Sequence, residues 1–306
     1  MIKCRIEKRL MGSAFELIVM AENESIGQQF LDAGVGEIQR LENLLTEFKQ
    51  ESQTAQLNKN AGIQPLQVDD EVYHLIKRCI NISALTQGAF DITANALKKL
   101  YNFKNKQTAF PAQSAIQEKM KAVGYKHIRL QDDRNVFLEI PGMHIGFGAI
   151  GKGYAADKVK ALWQAKGVKS GVINASGDLT AWGLQPDGTP WKIGVADPKD
   201  INKILLWLPA DNTSIATSGN YEQFFELNGV RYSHNIDPRT GLPAKYIKSV
   251  TIISISAELS DALATAVTIM GVEVGLHFIN QLPNVHCIII DSKDHIHQSK
   301  HIQINA

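Results

Sequence analysis

Three stretches of the chain hold side chains whose types and spacing could make a reactive site. Asp261 and Thr265 stand four apart in Ser260-Asp261-Ala262-Leu263-Ala264-Thr265, so on a helix their oxygens share one face. A carboxylate and a hydroxyl, completed by water or backbone carbonyls, suit a hard cation such as Mg²⁺. The competing reading makes Asp261 a first-turn cap or dipole partner of its own helix. Farther back, Gly146-Phe147-Gly148-Ala149-Ile150-Gly151 matches GxGxxG, and with Lys152 it matches the first seven positions of a P-loop. Both templates then fail. A P-loop needs a Ser or Thr hydroxyl at its eighth position to hold magnesium, and Gly153 stands there. The dinucleotide template needs an acid about 20 residues on, and the next expected strand ends at Asn174-Ala175-Ser176. What survives is physical. Glycines let backbone N–H and C=O groups approach a ligand, a helix N-terminus favours an anion, and Lys152 adds a cation. The segment reads as a phosphate or metal loop of another fold, with a tight strand-to-helix turn as the alternative.

The third stretch is Tyr232-Ser233-His234-Asn235-Ile236-Asp237-Pro238-Arg239-Thr240-Gly241. Its Asp-Pro-Arg-Thr-Gly end is a turn sequence, with Asp237 starting it and Gly241 closing it. His234, just before, could serve as a general base near neutral pH. A satisfied structural histidine is the alternative.

The elements that must position these residues can be read from periodicity. Ala14 to Met20 is a β-prone run. Ser25 to Leu45 is an amphipathic helix with Ile26, Phe30, Ala33, Ile38, Leu41 and Leu45 near one face. Val72 to Ala84 is a second helix. Gly88 to Thr93 breaks the pattern, and Asn102 to Ala112 is expected as a long loop. Lys126 to Leu130 and Asn135 to Ile140 form a hairpin around Asp132-Asp133, and the helix after the glycine loop runs from Tyr154 to Ala165. Turn signals at Pro186-Asp187-Gly188, Asp197-Pro198, Asn228-Gly229 and Asp237 to Gly241 make Gly171 to Val250 a series of short antiparallel strands. Val250 to Ser256 is a strand, Glu258 to Met270 a helix, another helix comes after Gly271, and Cys287 to Asp291 is the expected final strand. Helices and strands are segregated, so the class is α+β, a mixed or antiparallel sheet core with flanking helices. The 306 residues read as one unit. A two-lobed division stays open near residue 125, mostly helical before it and sheet-rich, with the glycine loop, after it.

Composition removes several function classes. Lys+Arg 32 against Asp+Glu 31 leaves no global positive field for a nucleic-acid partner. Cys4, Cys79 and Cys287 are too far apart and too few for a disulfide framework or a structural zinc site. They are expected as two buried thiols and one near a terminus. No apolar run reaches the roughly 18 residues of a transmembrane helix. Met1 to Leu10 is basic like the first region of a leader, but Glu16 interrupts the apolar run after it. The expectation is a chain without signal or anchor, cytoplasmic as given.

Taken in order, the segments resemble the ApbE-type flavin transferases (FAD:protein FMN transferases). The resemblance runs from Met11 to about Met270. It rests on Met11-Gly12-Ser13, Gly88 to Thr93, Ile150 to Tyr154, Asn174 to Asp178, Trp191 to Pro198, Ala216 to Gly219, Ser233 to Gly241, and Asp261 to Thr265 with Met270-Gly271 after it. It implies an α+β fold that takes FAD as substrate with Mg²⁺. The FMN half would pass to a Thr or Ser hydroxyl of an acceptor flavoprotein, such as a subunit of a membrane redox complex, and AMP would leave. By resemblance, Asp261, Thr265 and the backbone carbonyl of Ala149 hold the metal. Met11, Phe48, Ala89, Phe90, Asp91, Gly146, Lys152 and Ile236 match FAD-contacting positions, and His234 matches the histidine proposed to help deprotonate the acceptor.

The sequence also departs from the family's pattern. Gly146 replaces a carboxylate that contacts FAD, so a nearby residue is expected to substitute or the ligand to shift. Ala264 replaces an Asp that some members carry beside the metal, which predicts weaker metal binding without FAD. Members are commonly periplasmic or lipid-anchored, in contrast to this chain's start. Two rivals share the same site: an FAD pyrophosphatase that gives FMN and AMP to water, and a non-catalytic FAD-binding module. The Asp261/Thr265 pair argues against the second, since a carrier needs no metal at the diphosphate.

Overall fold

The computed structural model describes residues 1–103, 107, 109–197, 200–219, 224–300 and 302. A hairpin opens the chain: β1 (Ile2–Leu10) pairs antiparallel with β2 (Ser13–Ala21) across Met11-Gly12. Both turn residues have positive φ, 50° and 75°, as the tight turns that match strand twist require. Gly12 adopts this freely, whereas Met11 is a side-chain residue held in a sparsely populated region. The basic first residues are therefore a strand.

Helix α1 (Glu24–Leu45) starts at Asn23, whose side chain accepts from the N–H of Ile26 at 3.0 Å. Its buried line is Gly27, Leu31, Gly34, Ile38, Leu41 and Leu45. Ile26, Phe30 and Ala33, expected on that face, are only half-buried. The glycines correct the phase because they let α1 approach its neighbours. A Cβ at Gly34 would lie 2.7 Å from Leu17 and 3.0 Å from Trp163. Next come α2 (Gln53–Lys59), β3 (Leu66–Gln67) and α3 (Asp70–Leu85), then a 3₁₀ helix, Ile92–Leu100, and α4 (Gln113–Met120). Within the expected Asn102 to Ala112 loop, the described residues form no helix or strand. The expected hairpin is β4 (Ile128–Leu130) with β5 (Asn135–Leu138), joined on its other side by β3.

Helix α5 (Gly151–Ala165) begins three residues before the expected Tyr154, so the last glycines of the loop form its first turn. The strand series is β6 (Gly171–Ala175), β7 (Asp178–Trp182), β8 (Trp191–Asp197), β9 (Asp200–Ala210), β10 (Thr213–Gly219), β11 (Phe224–Leu227), β12 (Val230–Ile236), β13 (Pro243–Lys245) and β14 (Ile247–Ser254). Pro198 of the expected Asp197-Pro198 turn lies outside the described residues. After α6 (Ala257–Met270) and α7 (Val272–Ile279) comes β15 (His286–Asp291). Against expectation β15 is not the last strand, because β16 (Ile296–Gln298) pairs with it. Its polar Ile-His-Gln sequence carries no apolar alternation to announce it.

Among the described residues the large sheet has eight strands in the order β1-β2-β6-β7-β10-β14-β15-β16, every neighbour antiparallel. With α5 and α6 packed against its central strands, this is the expected α+β class. One apolar core joins Leu17 of β2, Ile38 of α1, Leu75 of α3, Val159 and Trp163 of α5, and Ile173 of β6. Trp163 is fully buried, and its Nε1 donates to the Phe30 carbonyl at 2.8 Å, the polar partner a buried indole requires. Cys79 and Cys287 are buried, Cys4 is half-buried, and all three are free thiols. Among the described residues no helix is long and apolar enough to cross a membrane.

Candidate active site where two helices cap each other

Helices α5 and α6 exchange caps. Asp157 on α5 accepts from Ser256 Oγ at 2.8 Å and from the N–H groups of Ala257 and Glu258 at 3.0 Å, all at the start of α6. Ser256 in turn is the N-cap of α6, its Oγ accepting from the N–H of Leu259 at 3.2 Å. Asp261 on α6 instead reaches the start of α5, where the N–H of Gly153 donates to its Oδ2 at 3.1 Å. Asp261 is thus not the cap of its own helix. It sits at the anion-attracting end of another one. Gly153 is forced by the same contact, since a Cβ there would lie 2.1 Å from the Ala257 carbonyl oxygen. The position at which the P-loop template fails is set by helix packing.

Asp178, quoted in the sequence only as part of a motif, completes the centre. It opens β7 after a tight turn in which Ser176 and Gly177 have φ of 58° and 98°, and Asn174 Oδ1 accepts from the N–H of Gly177 at 2.9 Å. Asp178 is buried, ion-paired with Lys152, and accepts from the N–H of Thr217 on β10 at 3.3 Å. Burial raises its carboxyl above the ordinary value, with the Lys152 charge opposing. Burial and then the Asp178 charge push the Asp261 carboxyl up to about 7. Two buried carboxylates therefore share one lysine, and the second holds a proton near neutrality. A hard cation held beside Asp261 would take that proton's place and supply the positive charge the buried carboxylates lack. Thr265 lies one turn farther along α6 and is half-buried. Ala149 lies in the Gly148 to Ile150 turn just before α5 and is also half-buried. The residues present fit Mg²⁺.

The other expected residues gather around the same loop in different ways. The Met11 methyl lies 3.6 Å from where a Gly151 Cβ would stand, so the strained turn of the first hairpin leans on the loop. Phe48 is 88 % exposed, an aromatic face open to a planar partner. Ala89, Phe90 and Asp91 join the loop through Ile92, whose carbonyl accepts from the N–H of Gly146 at 3.1 Å. The side chains of Ala89 and Phe90 are buried, so what they offer is backbone. The Asp91 carboxylate is occupied: Oδ1 accepts from Thr93 N–H (2.8 Å) and Oγ1 (2.7 Å), and Oδ2 from Tyr125 N–H (2.7 Å). His234 and Ile236 both lie on β12, the former half-buried and the latter buried. β12 packs against both α6 and the 3₁₀ helix. Between His234 and Ile236, Asn235 donates to Ser218 Oγ at 2.8 Å, which gives the Ala216 to Gly219 motif its structural use.

Four residues beside the loop had no signal in the sequence. Glu47 accepts from Asn95 Nδ2 and from His144 Nε2, both at 2.5 Å. A Cβ at Gly146 would lie 2.6 Å from that Asn95 amide. The space a side chain at 146 would need is therefore filled by Asn95, with a carboxylate directly behind it. Asn95 Oδ1 is buried and has no hydrogen-bond partner among the described residues. Lys98 Nζ lies 3.5 Å from the Cβ position of Gly148, a second ammonium at the loop.

This fold and this centre define an α+β protein in which a glycine-rich helix start meets a buried carboxylate pair. The ApbE family model matches residues 11–289. The chain is 32% identical to the FAD:protein FMN transferase of Treponema pallidum, over 83% of this chain and 74% of that one. It is 31% identical to an FAD:protein FMN transferase of Klebsiella pneumoniae, over 92% and 87%. The crystal structure of the ApbE protein from Thermotoga maritima superposes with a TM-score of 0.89 at 29% identity, covering 98% of this chain and 97% of that one. The chain belongs to the ApbE family and is a transferase.

Proposed function

We propose that this chain transfers the FMN half of FAD to a Thr or Ser hydroxyl of an acceptor flavoprotein and releases AMP, with 1–306 acting as one unit. The observation that carries the reading is the buried Asp261–Asp178 pair sharing Lys152 at the start of α5, supported by relatives named for this activity. Asp261, Thr265 and the Ala149 carbonyl would hold Mg²⁺, which when bound supplies charge neutralisation on the diphosphate. Lys152, with Lys98 across the loop, balances phosphate charge, and the glycines let backbone N–H groups approach it. Phe48 and Met11 flank the flavin, the Ala89 to Asp91 backbone, Gly146 and Ile236 line the ligand, and Glu47 stands behind Asn95 at the Gly146 position. His234 takes the acceptor's proton. The acceptor oxygen bonds to the FMN phosphorus. The bond from that phosphorus to the bridging oxygen breaks, and AMP leaves with the oxygen and its electron pair.

Intact-mass spectrometry of a flavoprotein acceptor domain, after incubation with this protein, FAD and Mg²⁺, tests the reading while AMP is monitored in parallel. A gain of one FMN that chelator removes is the expected result. AMP and free FMN without a mass gain would make the chain a pyrophosphatase. Tight FAD binding without turnover would make it a flavin carrier. The acceptor would be a subunit of a membrane redox complex, and the compartment is set by where that acceptor resides.

A further inference from the structure

A second cluster of ligating side chains lies on the β15–β16 hairpin. Asp291 ends β15, His295 comes after the turn, and His297 lies within β16. The N–H of Asp291 donates to the His295 carbonyl at 3.1 Å, and Ile289 pairs with His297. His295 is thus directly opposite Asp291 and His297 is its diagonal neighbour on the same face. Their side chains converge. Asp291 Oδ2 is 3.2 Å from His295 Nδ1 and 3.1 Å from His297 Nε2, and the three ligand atoms all lie within 4.8 Å of one another. Tetrahedral ligands on bonds of about 2.0–2.1 Å are separated by roughly 3.3–3.4 Å, so each histidine nitrogen is already close to the spacing a metal imposes.

The support behind these ligands is also in place. Asp291 Oδ1 accepts from the N–H groups of Lys293 (2.8 Å) and His295 (3.0 Å), which fixes the carboxylate and leaves Oδ2 for the imidazoles. Lys248, which reaches the same turn, is occupied by Asp294 at 2.5 Å. The side chain of His295 is 65% exposed and that of His297 32% exposed, so a fourth position opens to solvent.

We propose that Asp291, His295 and His297 form a surface binding site for a divalent transition cation of the zinc class, separate from the Asp261 centre. Two imidazoles and one carboxylate are borderline ligands that favour Zn²⁺, Cu²⁺ or Ni²⁺ over Mg²⁺, which prefers an all-oxygen shell. Bound there, the ion would tie β15 to the three-residue strand β16, adding to the three register pairings and the flanking backbone bonds that join them.

Calorimetric titration of the full chain with Zn²⁺, and with Mg²⁺ in parallel, tests the assignment in four proteins: wild type, Asp261→Ala, His295→Ala and His297→Ala. One Zn²⁺ site is expected to persist in Asp261→Ala. It is expected to weaken in each histidine variant by at least the roughly 10–100-fold that loss of a mere orienting partner costs. Mg²⁺ should not compete for it. Equal Zn²⁺ affinity and stoichiometry in wild type and both histidine variants would overturn the proposal, as would loss of the site in Asp261→Ala. Circular dichroism of the metal-free variants checks folding. Because the hairpin lies at the sheet edge, His297→Gln supplies a second, near-isosteric variant that must show the same loss.

Discussion

Asp261 and Asp291 are the same residue put to opposite electrostatic use. Asp261 is buried among helix ends, accepts from the N–H of Gly153 at 3.1 Å, and faces a second carboxylate; burial first and that charge next hold its proton up to about 7. Asp291 stands at a strand end near water. What burial it has opposes ionisation, yet hydrogen bonds from His297 and from the backbone of His295 and Lys293 hold its carboxyl well below the usual range. The first is expensive to ionise unless a cation arrives; the second is already ionised and surrounded by nitrogen donors. Donor set and burial thus select different ions. The buried oxygen site suits a hard cation that comes with a polyphosphate, and the exposed nitrogen–oxygen site suits a softer one that binds alone.

The largest effect should separate the two aspartates outright. Asp261→Ala is expected to abolish FMN transfer, with added Mg²⁺ restoring little, while Asp291→Ala leaves the rate within about twofold; transfer rates by acceptor mass gain decide it. Full activity in Asp261→Ala would remove the metal assignment. A step smaller, His234→Ala should slow transfer by about 10²–10⁴ while FAD affinity changes far less. Single-turnover rates beside FAD titration distinguish the roles, and equal losses in both would make His234 a binding residue.

How far these sites could be read in advance depended on whether their parts are local. The face shared by Asp261 and Thr265 and the cationic Lys152 come from spacing within single elements, and the α+β class from the order of elements along the chain. Asp178 does not, because its pairing with Lys152 is made by the β6–β7 turn and its approach to Asp261 by sheet order. Glu47, Asn95 and His144 meet across 48 and 97 residues of chain, and nothing in their own neighbourhoods signals it. Two glycines hold their places for a reason no local pattern shows: Gly34 on the buried line of α1, and Gly153 where the P-loop template fails. Both are places where two elements meet too closely for a Cβ. Strand β16 has no signal in the sequence because its Ile-His-Gln run carries no apolar alternation.

The packing role of Gly153 is itself testable. Gly153→Ser restores the residue type a P-loop would carry, but its Cβ would fall 2.1 Å from the Ala257 carbonyl oxygen and 2.9 Å from the Glu258 N–H nitrogen. The helices must separate, loosening both reciprocal caps. A loss of about 3 kcal/mol or more in urea unfolding is expected, at the upper end of overpacking costs. Gly148→Ser, whose Cβ would meet only Lys98 Nζ at 3.5 Å, should cost far less. Equal small losses would mean that α5 and α6 are not locked by this contact.

The subtlest consequence is a pH dependence of the ligand-free protein to which buried Asp261 contributes. The folded-state value of Asp261, about 7, lies above its ordinary 3.8. Between these limits the folded chain binds more protons than the unfolded one, so stability falls as pH rises. The contribution is fully present below about pH 4 and is lost as pH climbs through about 7. Asp261→Asn keeps an acceptor for the Gly153 N–H but cannot ionise, and it removes the charge that opposes Asp178. Melting temperatures taken without metal or FAD should therefore decline across that window more steeply in wild type than in Asp261→Asn, with the variant the more stable above pH 7. Mg²⁺ with FAD should reverse that order by stabilising the wild type alone. Parallel curves for the two proteins would mean that Asp261 is not held protonated, and the contrast with Asp291 would then be one of exposure rather than of charge.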